Sequence, residues 1–470
     1  MSSPTLTAFK ETASGFRYLT LDYALDLFDL QCADPIRYPF LLESSAHGPN
    51  GRYDILFAFP GDTVVLTSSG RLEKNGLTID GMFLDVLSDE FKANQQPRSS
   101  IEEIPFTGGW FVFLSYEMVT ETEPSLKKNM HPVAMALPVA VAARVPVAIV
   151  VDHVQRSTTV IAESTVEQSR VDAIMQDVST PAAGSVPNTF VVHDLNEEDP
   201  EIYLRSIARI KQYIRDGDIF QANLSRLWRA ELDHTTTPMD IYAALRRRNP
   251  APFSGLALLA PRQAIISSSP ERLVSVRDGI VCTRPIAGTH PRGDTVDTDR
   301  QLAEALLRHP KERAEHIMLI DLERNDLGRV CRPGSVNVSE LMALETYAHV
   351  HHIVSEVRGV LDPDMNPVDV IRAVFPGGTI TGCPKVRCME IIHELEKGPR
   401  GAYTGSMGYI NRDGSMDMNI LIRTLVQNDN HLSFRAGGGI VADSEPQREL
   451  DETRAKARGM LLTMEGGERT

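Results

Sequence analysis

Residues 403–444 read YTGSMGYINRDGSMDMNILIRTLVQNDNHLSFRAGGGIVADS. Three strands are predicted here, 403–411, 416–426 and 431–441, with no helix between them. Two more, 263–268 and 271–277, also come as a consecutive pair, and helices are predicted at 299–325, 366–374, 384–397 and 446–463. Strands that come both in pairs and separated by helices predict mixed or antiparallel sheets, not a simple doubly wound one.

Upstream of this block a helix starts cleanly. Asp199 can cap it, Pro200 suits its first turn, and Tyr203, Ile207, Ile210 and Ile214 fall on one face before Gly217. In IFQANLSRLWRAEL (219–232), alternation puts Phe220, Ala222 and Leu224 on one side of a strand and Gln221, Asn223 and Ser225 on the other. The N-terminal part reads as β-rich: GRYDILFAFP (51–60) and GGWFVFLSYEM (108–118) are strand-like, and 145–162 reads as a hairpin. STPAAGSVPNT (179–189) is the best linker candidate. The expected organisation is an N-terminal region 1–165, a linker 166–198 and a C-terminal region 199–470.

Composition narrows the class. The chain has 470 residues, 42% hydrophobic and 24% charged, with net charge −15, and no Lys/Arg block marks a nucleic-acid face. Arg246, Arg247 and Arg248 read as a helix end before Pro250. The five cysteines form no CxxC pair, which fits a reducing cytoplasm and argues against a disulfide framework or a zinc site. No signal peptide is apparent at the N-terminus. The longest apolar run, 133–151, is interrupted by Pro138, Arg144 and Pro146 and reads as paired β-strands, not a membrane span.

The chemistry-bearing residues come in groups. Glu312 and Glu315 are three apart on one predicted helix, and Glu449 and Glu452 are three apart on another, with Lys456 one turn on. Residues at i and i+3 share a face, so two helices can aim carboxylates at one point, a donor set that suits Mg²⁺. Each pair taken alone also reads as a solvated helix face. Three glycine-rich segments follow: FPGGTITGCPK (375–385) before a helix, YTGSMGYI (403–410) carrying Tyr409, and AGGGIVADS (436–444), whose successive amides can hold a carboxylate. With Arg423 in LIRTL they favour a site for a small polyanion. Glu271 in SSSPERL is a general acid if a closed cleft holds it, and His352 reads equally as a core histidine. No GxSxG, HExxH or post-strand GxGxxG is present, so serine hydrolysis and redox cofactors are not supported.

In order along 199–464, DGDIFQANLSR, SSSPERL, TRPIAGT, EHIMLIDLERNDLGRV, FPGGTITGCPKVRCMEIIHELE, GSMGYI, IRTL, AGGGIVADS and ELDETRAKA resemble the chorismate-utilising enzymes. That family includes anthranilate synthase component I, aminodeoxychorismate synthase component I, and the isochorismate and salicylate synthases. The resemblance implies an α+β fold of two β-sheets packed as a sandwich with outer helices, with the active site in the cleft. It implies Mg²⁺ on Glu315 and Glu452, supported by Glu312 and Glu449. It places the substrate carboxylates at Tyr409, Arg423, Gly438, Gly439 and Lys456, the general acid at Glu271, and Thr289 and His352 near the ring.

Water-using members carry Lys where Gln221 stands. A neutral amide cannot activate water, so the resemblance implies ammonia, delivered by a separate glutamine amidotransferase subunit. Some aminodeoxychorismate synthases carry Lys in place of Ala287, whereas anthranilate synthases have Ala. The longer stretches are most similar to the aminodeoxychorismate group. The expectation is therefore 4-amino-4-deoxychorismate as product, on the route to p-aminobenzoate and folate. The alternatives are anthranilate plus pyruvate, for tryptophan biosynthesis, and a non-catalytic chorismate-binding paralogue. YPFLLESSAHG (38–48) resembles the region that binds tryptophan in regulated anthranilate synthases, which makes Leu42, Glu43 and Ser44 a candidate amino-acid pocket.

Overall fold

The computed structural model describes residues 9–12, 14–45, 51–98, 104–128, 135, 137–179, 188–293, 295–346 and 350–464. Two large sheets, of 13 and 12 strands among the described residues, form the frame, and their paired strands run antiparallel. The first sheet runs from Phe16–Leu21 through Tyr53–Ala58, Phe253–Ala260 and Gln263–Ser269 to Thr424–Asn428, His431–Ile440 and Gln221–Leu232. The second runs from Ile286–Pro291 and Val350–Val360 through Arg272–Arg277 and Ser406–Asn411 to Gly109–Leu114 and Ala140–Val145.

The hydrophobic residues sort into layers. Phe57 and Ile265 of the first sheet meet Phe111, Phe113 and Met407 of the second in a shared core, where the Phe40 and Phe111 rings stack at 4.0 Å. The outer face of the first sheet is covered by helices that include Pro238–Arg248 and Pro446–Met464, through Ile241, Tyr242, Met460 and Met464. The outer face of the second is covered by Phe83–Asn94, Pro310–Gly328 and Pro367–Val374. This is a sandwich with outer helices, and each sheet takes strands from both halves of the chain.

The chain passes between the sheets at defined points. Ala140–Val145 lies in the second sheet and Val147–Asp152 in the first, with Pro146 between them. The apolar run 133–151 is thus two strands in different sheets, not a pair, because Pro146 lacks the N–H that would continue a ladder. Val147–Asp152 pairs instead with Ser157–Glu163, in the predicted hairpin. Two more crossings matter for function. Gln263–Ser269 passes to Arg272–Arg277 through Pro270 and Glu271, and Met416–Asn419 passes to Thr424–Asn428 through Arg423, which has φ 52°. The predicted strand 416–426 is therefore two strands.

Other boundaries moved for similar reasons. The predicted helix 299–325 is two, Val296–Arg308 and Pro310–Gly328, split at His309 because Pro310 opens a new first turn. Phe220 lies outside the strand and is 69% exposed. The expected linker 166–198 contains the helix Gln168–Ser179 and the strand Val192–Glu197. Val171, Ile174 and Val178 bury one face of that helix, a spacing of three and four that outweighs its polar composition. Residues 180–187 of the linker candidate lie outside the described residues.

Candidate active site

Glu271 occupies one crossing between the sheets, and its backbone carbonyl accepts from Ile420 N–H at 3.0 Å, which ties it to the other. Its carboxyl is buried, 6% exposed, and accepts from Thr379 Oγ1 at 2.9 Å. Burial pushes its pKa up to about 7; the Thr379 hydroxyl, the Ile286 backbone N–H, Arg423 and Lys456 oppose the shift. Arg423, on the neighbouring crossing, is itself pushed below its usual range by burial and drawn back by Glu271. Ser268 N–H donates to the Arg423 carbonyl at 3.1 Å, so the two crossings brace each other.

The strand Ile286–Pro291 forms an adjoining wall. Ala287 pairs with Ile353 and Thr289 with His352 across the ladder to Val350–Val360. His352 is 4% exposed, and burial together with Arg423 lowers its pKa to about 4, against the Gly288 carbonyl that its ring donates to. It is neutral at neutral pH, a hydrogen-bonding group without charge.

Gln221 opens the strand Gln221–Leu232, 3% exposed, and its Nε2 donates to Glu315 Oε1 at 3.0 Å. Glu315 and Glu312 lie on the helix Pro310–Gly328, with Glu312 turned toward Gly288: a Cβ there would come within 2.9 Å of Glu312 Oε2. Glu449 and Glu452 lie on Pro446–Met464, and Lys456 Nζ pairs with Glu452 Oε1 at 2.8 Å.

Two adjacent glycines relate these helices. A Cβ on Gly439 would lie 2.0 Å from Gln221 Nε2, which holds Glu315. A Cβ on Gly438 would meet Glu452 Oε1 and Lys456 Nζ at 3.6 Å and Glu449 Oε2 at 3.7 Å. Both acidic helices thus reach the same end of His431–Ile440; at Gly439 a side chain would collide with Gln221, while Gly438 lies in ordinary contact with Glu449, Glu452 and Lys456. Among the described residues no three His, Cys, Asp or Glu side chains gather as a ready-made metal cage. The two pairs approach one strand end without closing into a four-carboxylate cluster. Hard carboxylate oxygens, few in number, nevertheless match Mg²⁺, which keeps several waters and takes one or two protein carboxylates.

Tyr409 is placed elsewhere. It lies in Ser406–Asn411 with its ring edge-on to Phe106 at 5.7 Å, and it lines a cavity of ≈ 490 Å³ with Glu43, Ser44, Arg272, Met407 and Asp417. Tyr403 is the tyrosine beside the glycine run: a Cβ on Gly437 would come within 2.8 Å of its hydroxyl. Thr404, at φ 61°, kinks the chain ahead of the strand and turns Tyr403 away from the direction of Tyr409. The kink falls at a non-glycine residue, so strand counting from sequence did not separate the two tyrosines.

FPGGTITGCPK is not an open anion loop. Gly382–Cys383 pairs with Gln221 and Ala222, and Lys385 is buried, donating to Asp326 Oδ2 and to the Val374 carbonyl at 2.9 Å each. Glu323, one turn before Asp326, is also buried, and burial with Asp326 alongside pushes its carboxyl above the usual range. Thr379 and Glu323 join the site without a distinguishing mark in the sequence. The five cysteines are free.

Leu42, Glu43 and Ser44 line the ≈ 490 Å³ cavity from the strand Phe40–Glu43 and its end. Glu43 accepts from Tyr242 Oη at 2.6 Å and pairs with Arg246; Ser44 Oγ donates to the Pro252 carbonyl at 2.8 Å.

A buried acid, a guanidinium, a neutral imidazole, two acidic helices and a glycine-rich strand end suit a small cyclic polyanion. The comparisons agree. Residues 40–462 match the chorismate binding enzyme family. A Synechocystis "anthranilate synthase component I-like protein" is 42% identical over 78% of this chain and 74% of its own length. The aminodeoxychorismate synthase component 1 of Bacillus subtilis is 49% identical over 56% of this chain and 55% of its own. The crystal structure of anthranilate synthase component I from Streptococcus pneumoniae TIGR4 superposes with a TM-score of 0.77 at 32% identity, covering 88% of this chain and 93% of that one.

The chain belongs to the chorismate binding enzymes. It has the anthranilate synthase component I-like fold and is a chorismate-utilising enzyme of the anthranilate synthase and aminodeoxychorismate synthase type. Among the described residues no helix is long and apolar enough to cross a membrane.

Proposed function

We propose that the chain aminates chorismate to 4-amino-4-deoxychorismate, with ammonia from a glutamine amidotransferase subunit and Mg²⁺ as cofactor. The observation that carries this reading is the pairing of Glu271 with Gln221: an acid that keeps its proton near neutrality, and an amide at the nucleophile position. Hydroxide is a poor leaving group, so Glu271 protonates the C4 hydroxyl as the C–O bond breaks and water departs. A C–N bond forms to ammonia, and the proton that nitrogen sheds returns the Glu271 carboxylate to its acid form. Chorismate and ammonia thus give the amino product and water.

Arg423, the amides of Gly438 and Gly439, and Tyr403 receive the substrate carboxylates, with Lys456 beside them. His352 stands as a neutral wall group. Glu315 and Glu452 would hold Mg²⁺, with Glu312 and Glu449 behind them. When bound, the ion supplies positive charge for the ring carboxylate.

The similarity to the B. subtilis aminodeoxychorismate synthase supports this product. The second reading, anthranilate with loss of pyruvate, is favoured by Ala287 and by the wider coverage of the anthranilate synthase structure. One assay separates them. Purified chain is incubated with chorismate, Mg²⁺ and ammonium at pH 8.5, and the products are followed by fluorescence and pyruvate release. An amino product that yields p-aminobenzoate only after a lyase is added supports the first. Fluorescent anthranilate with stoichiometric pyruvate establishes the second. No turnover returns the chain to a chorismate-binding role without catalysis.

The second cavity carries a separate proposal. Its Arg272–Asp417 pair, at 2.8 and 2.9 Å, offers both signs of charge to a zwitterion, and with Leu42, Glu43 and Ser44 it suits an amino acid such as tryptophan. Calorimetry showing no heat with millimolar tryptophan refutes it.

A further inference from the structure

Beneath the site, one arginine reaches three of its parts. Arg400 is 5% exposed and lies between the helix Lys385–Leu395 and Tyr403. Its Nη1 donates to the Ile380 carbonyl at 3.1 Å and to Thr404 Oγ1 at 3.3 Å, and its Nη2 donates to the Asn223 carbonyl at 2.7 Å. Nε and Nη2 donate to the two oxygens of Glu396 at 3.0 and 2.7 Å. A guanidinium carries five N–H donors in a rigid fork, and these five acceptors use them all. The group lies over the Tyr116 ring at 4.9 Å and the Tyr403 ring at 5.6 Å.

The uncharged acceptors come from three separate segments, and each adjoins a residue of the site. Ile380 ends the short turn Gly378–Ile380, whose Thr379 donates to Glu271 Oε1 at 2.9 Å. Asn223 lies two residues along the strand that Gln221 opens. Thr404 makes the kink that sets Tyr403 beside Gly437. Asn223 N–H also donates to the Thr381 carbonyl at 2.9 Å, which ties strand and turn to each other. Glu396 is braced in turn: Ser225 gives it a backbone N–H and a hydroxyl at 2.9 Å each, and Arg435 reaches it at 3.4 Å from the strand His431–Ile440. Burying an ion pair gains little net stability, since desolvation offsets the attraction.

We infer that Arg400 is a positioning residue for the reaction: it holds the Thr379 turn against Glu271, fixes the start of the Gln221 strand and sets Tyr403 toward the substrate, through the fork of its guanidinium and not its charge alone. This rests on the reading of Glu271 as the acid and holds for either product.

The test is Arg400→Lys, which keeps the charge and loses the fork. Chorismate consumption is followed with Mg²⁺ and ammonium across pH, well below the melting temperature of each protein. R400K is expected to lose about tenfold to a hundredfold in kcat/KM for chorismate, the cost of a small misplacement of reacting groups. Its alkaline limb is expected to move to higher pH, because the Thr379 hydroxyl lowers the Glu271 pKa and a loosened turn gives that up. Arg423, Lys456 and the buried Glu323 also act on Glu271, and none of them is on a segment that Arg400 holds. Arg144→Lys is the comparison. Arg144 pairs with Glu163 and donates to the Gly109 and Val145 carbonyls outside the site, so R144K should lower the melting temperature and leave kcat/KM and the limb as in wild type.

R400K that melts lower yet keeps wild-type kcat/KM, or keeps the alkaline limb where it was, reduces Arg400 to a structural role and overturns the inference. So does R144K that changes both in the same way. Should R400K not fold, Arg400→Gln with Glu396→Gln, an uncharged pair of amides, carries the same comparison. Wild-type chain without an alkaline limb near pH 7, or a limb that survives in E271Q, fails the reading of Glu271 itself, before any Arg400 variant is made.

Discussion

Two buried glutamates define two different places in this molecule. Glu271 lies where the chain steps between sheets and accepts from the Thr379 hydroxyl. Glu43 lies in the second cavity, held by Arg246 and Tyr242. Burial pushes both carboxyls up to about 7, and at Glu43 Arg246 and Tyr242 pull against that shift. Each acid therefore keeps its proton to higher pH than an exposed carboxyl does, and its surroundings decide whether it can give that proton away. Both places are lined from both sheets, so burial alone does not mark the site. What separates them is the arginine: Arg246 is locked onto Glu43, whereas Arg423 stands near Glu271 on the neighbouring crossing.

The comparison breaks first at Glu271. Glu271→Gln is expected to lower amination by about 10²–10⁴-fold, the usual worth of a positioned acid, measured as kcat/KM for chorismate. In the wild type, activity that needs the protonated acid falls as pH rises through about 7. Stability follows the same group. Its folded pKa lies above the ordinary 4.5, so its contribution is complete below about 4.5 and is lost as pH rises to about 7. E271Q should therefore melt above wild type at pH 8 and close to it at pH 4; equal shifts at both would remove the buried acid from the account.

Glu452→Gln comes next. It is expected to abolish Mg²⁺-dependent turnover, by about a hundredfold or more given the worth of fixed charge at such sites, with melting within a few degrees of wild type because the side chain is half exposed. Near-normal activity would separate the acidic helices from the metal.

The two tyrosines sharpen the contrast further. Tyr403→Phe should raise KM for chorismate by about tenfold, the loss of one hydrogen bond to a charged group. Tyr409→Phe should leave that KM within about twofold and act on the second cavity and on stability. The reverse pattern would restore Tyr409 to the substrate.

Much of this was legible in sequence. The strands read between 403 and 441 are antiparallel, Ser406–Asn411 with Met416–Asn419 and Thr424–Asn428 with His431–Ile440, and the i, i+3 acids fell on helices as read. What stayed hidden was where strands change sheet. Arg423 and Thr404 adopt positive φ without being glycine, so strand 416–426 read as continuous, and the two strands either side of Pro146 read as a pair when they lie in different sheets. The same blindness misassigned Tyr409, six residues from Tyr403 and on the far side of a kink. Orphaned atoms such as Gln221 Oε1 and Asn223 Oδ1 have no sequence signal, since they are defined by partners that are absent.

The most direct measurement is calorimetric titration of E271Q, which binds without turnover, with chorismate in the presence of Mg²⁺. One chorismate per chain is expected, with affinity falling at least about tenfold when Mg²⁺ is withdrawn or Arg423→Leu is added, and unchanged by Tyr409→Phe or Ser44→Ala. Binding that is indifferent to Arg423 and lost with Tyr409→Phe would put the substrate in the other cavity and contradict the assignment.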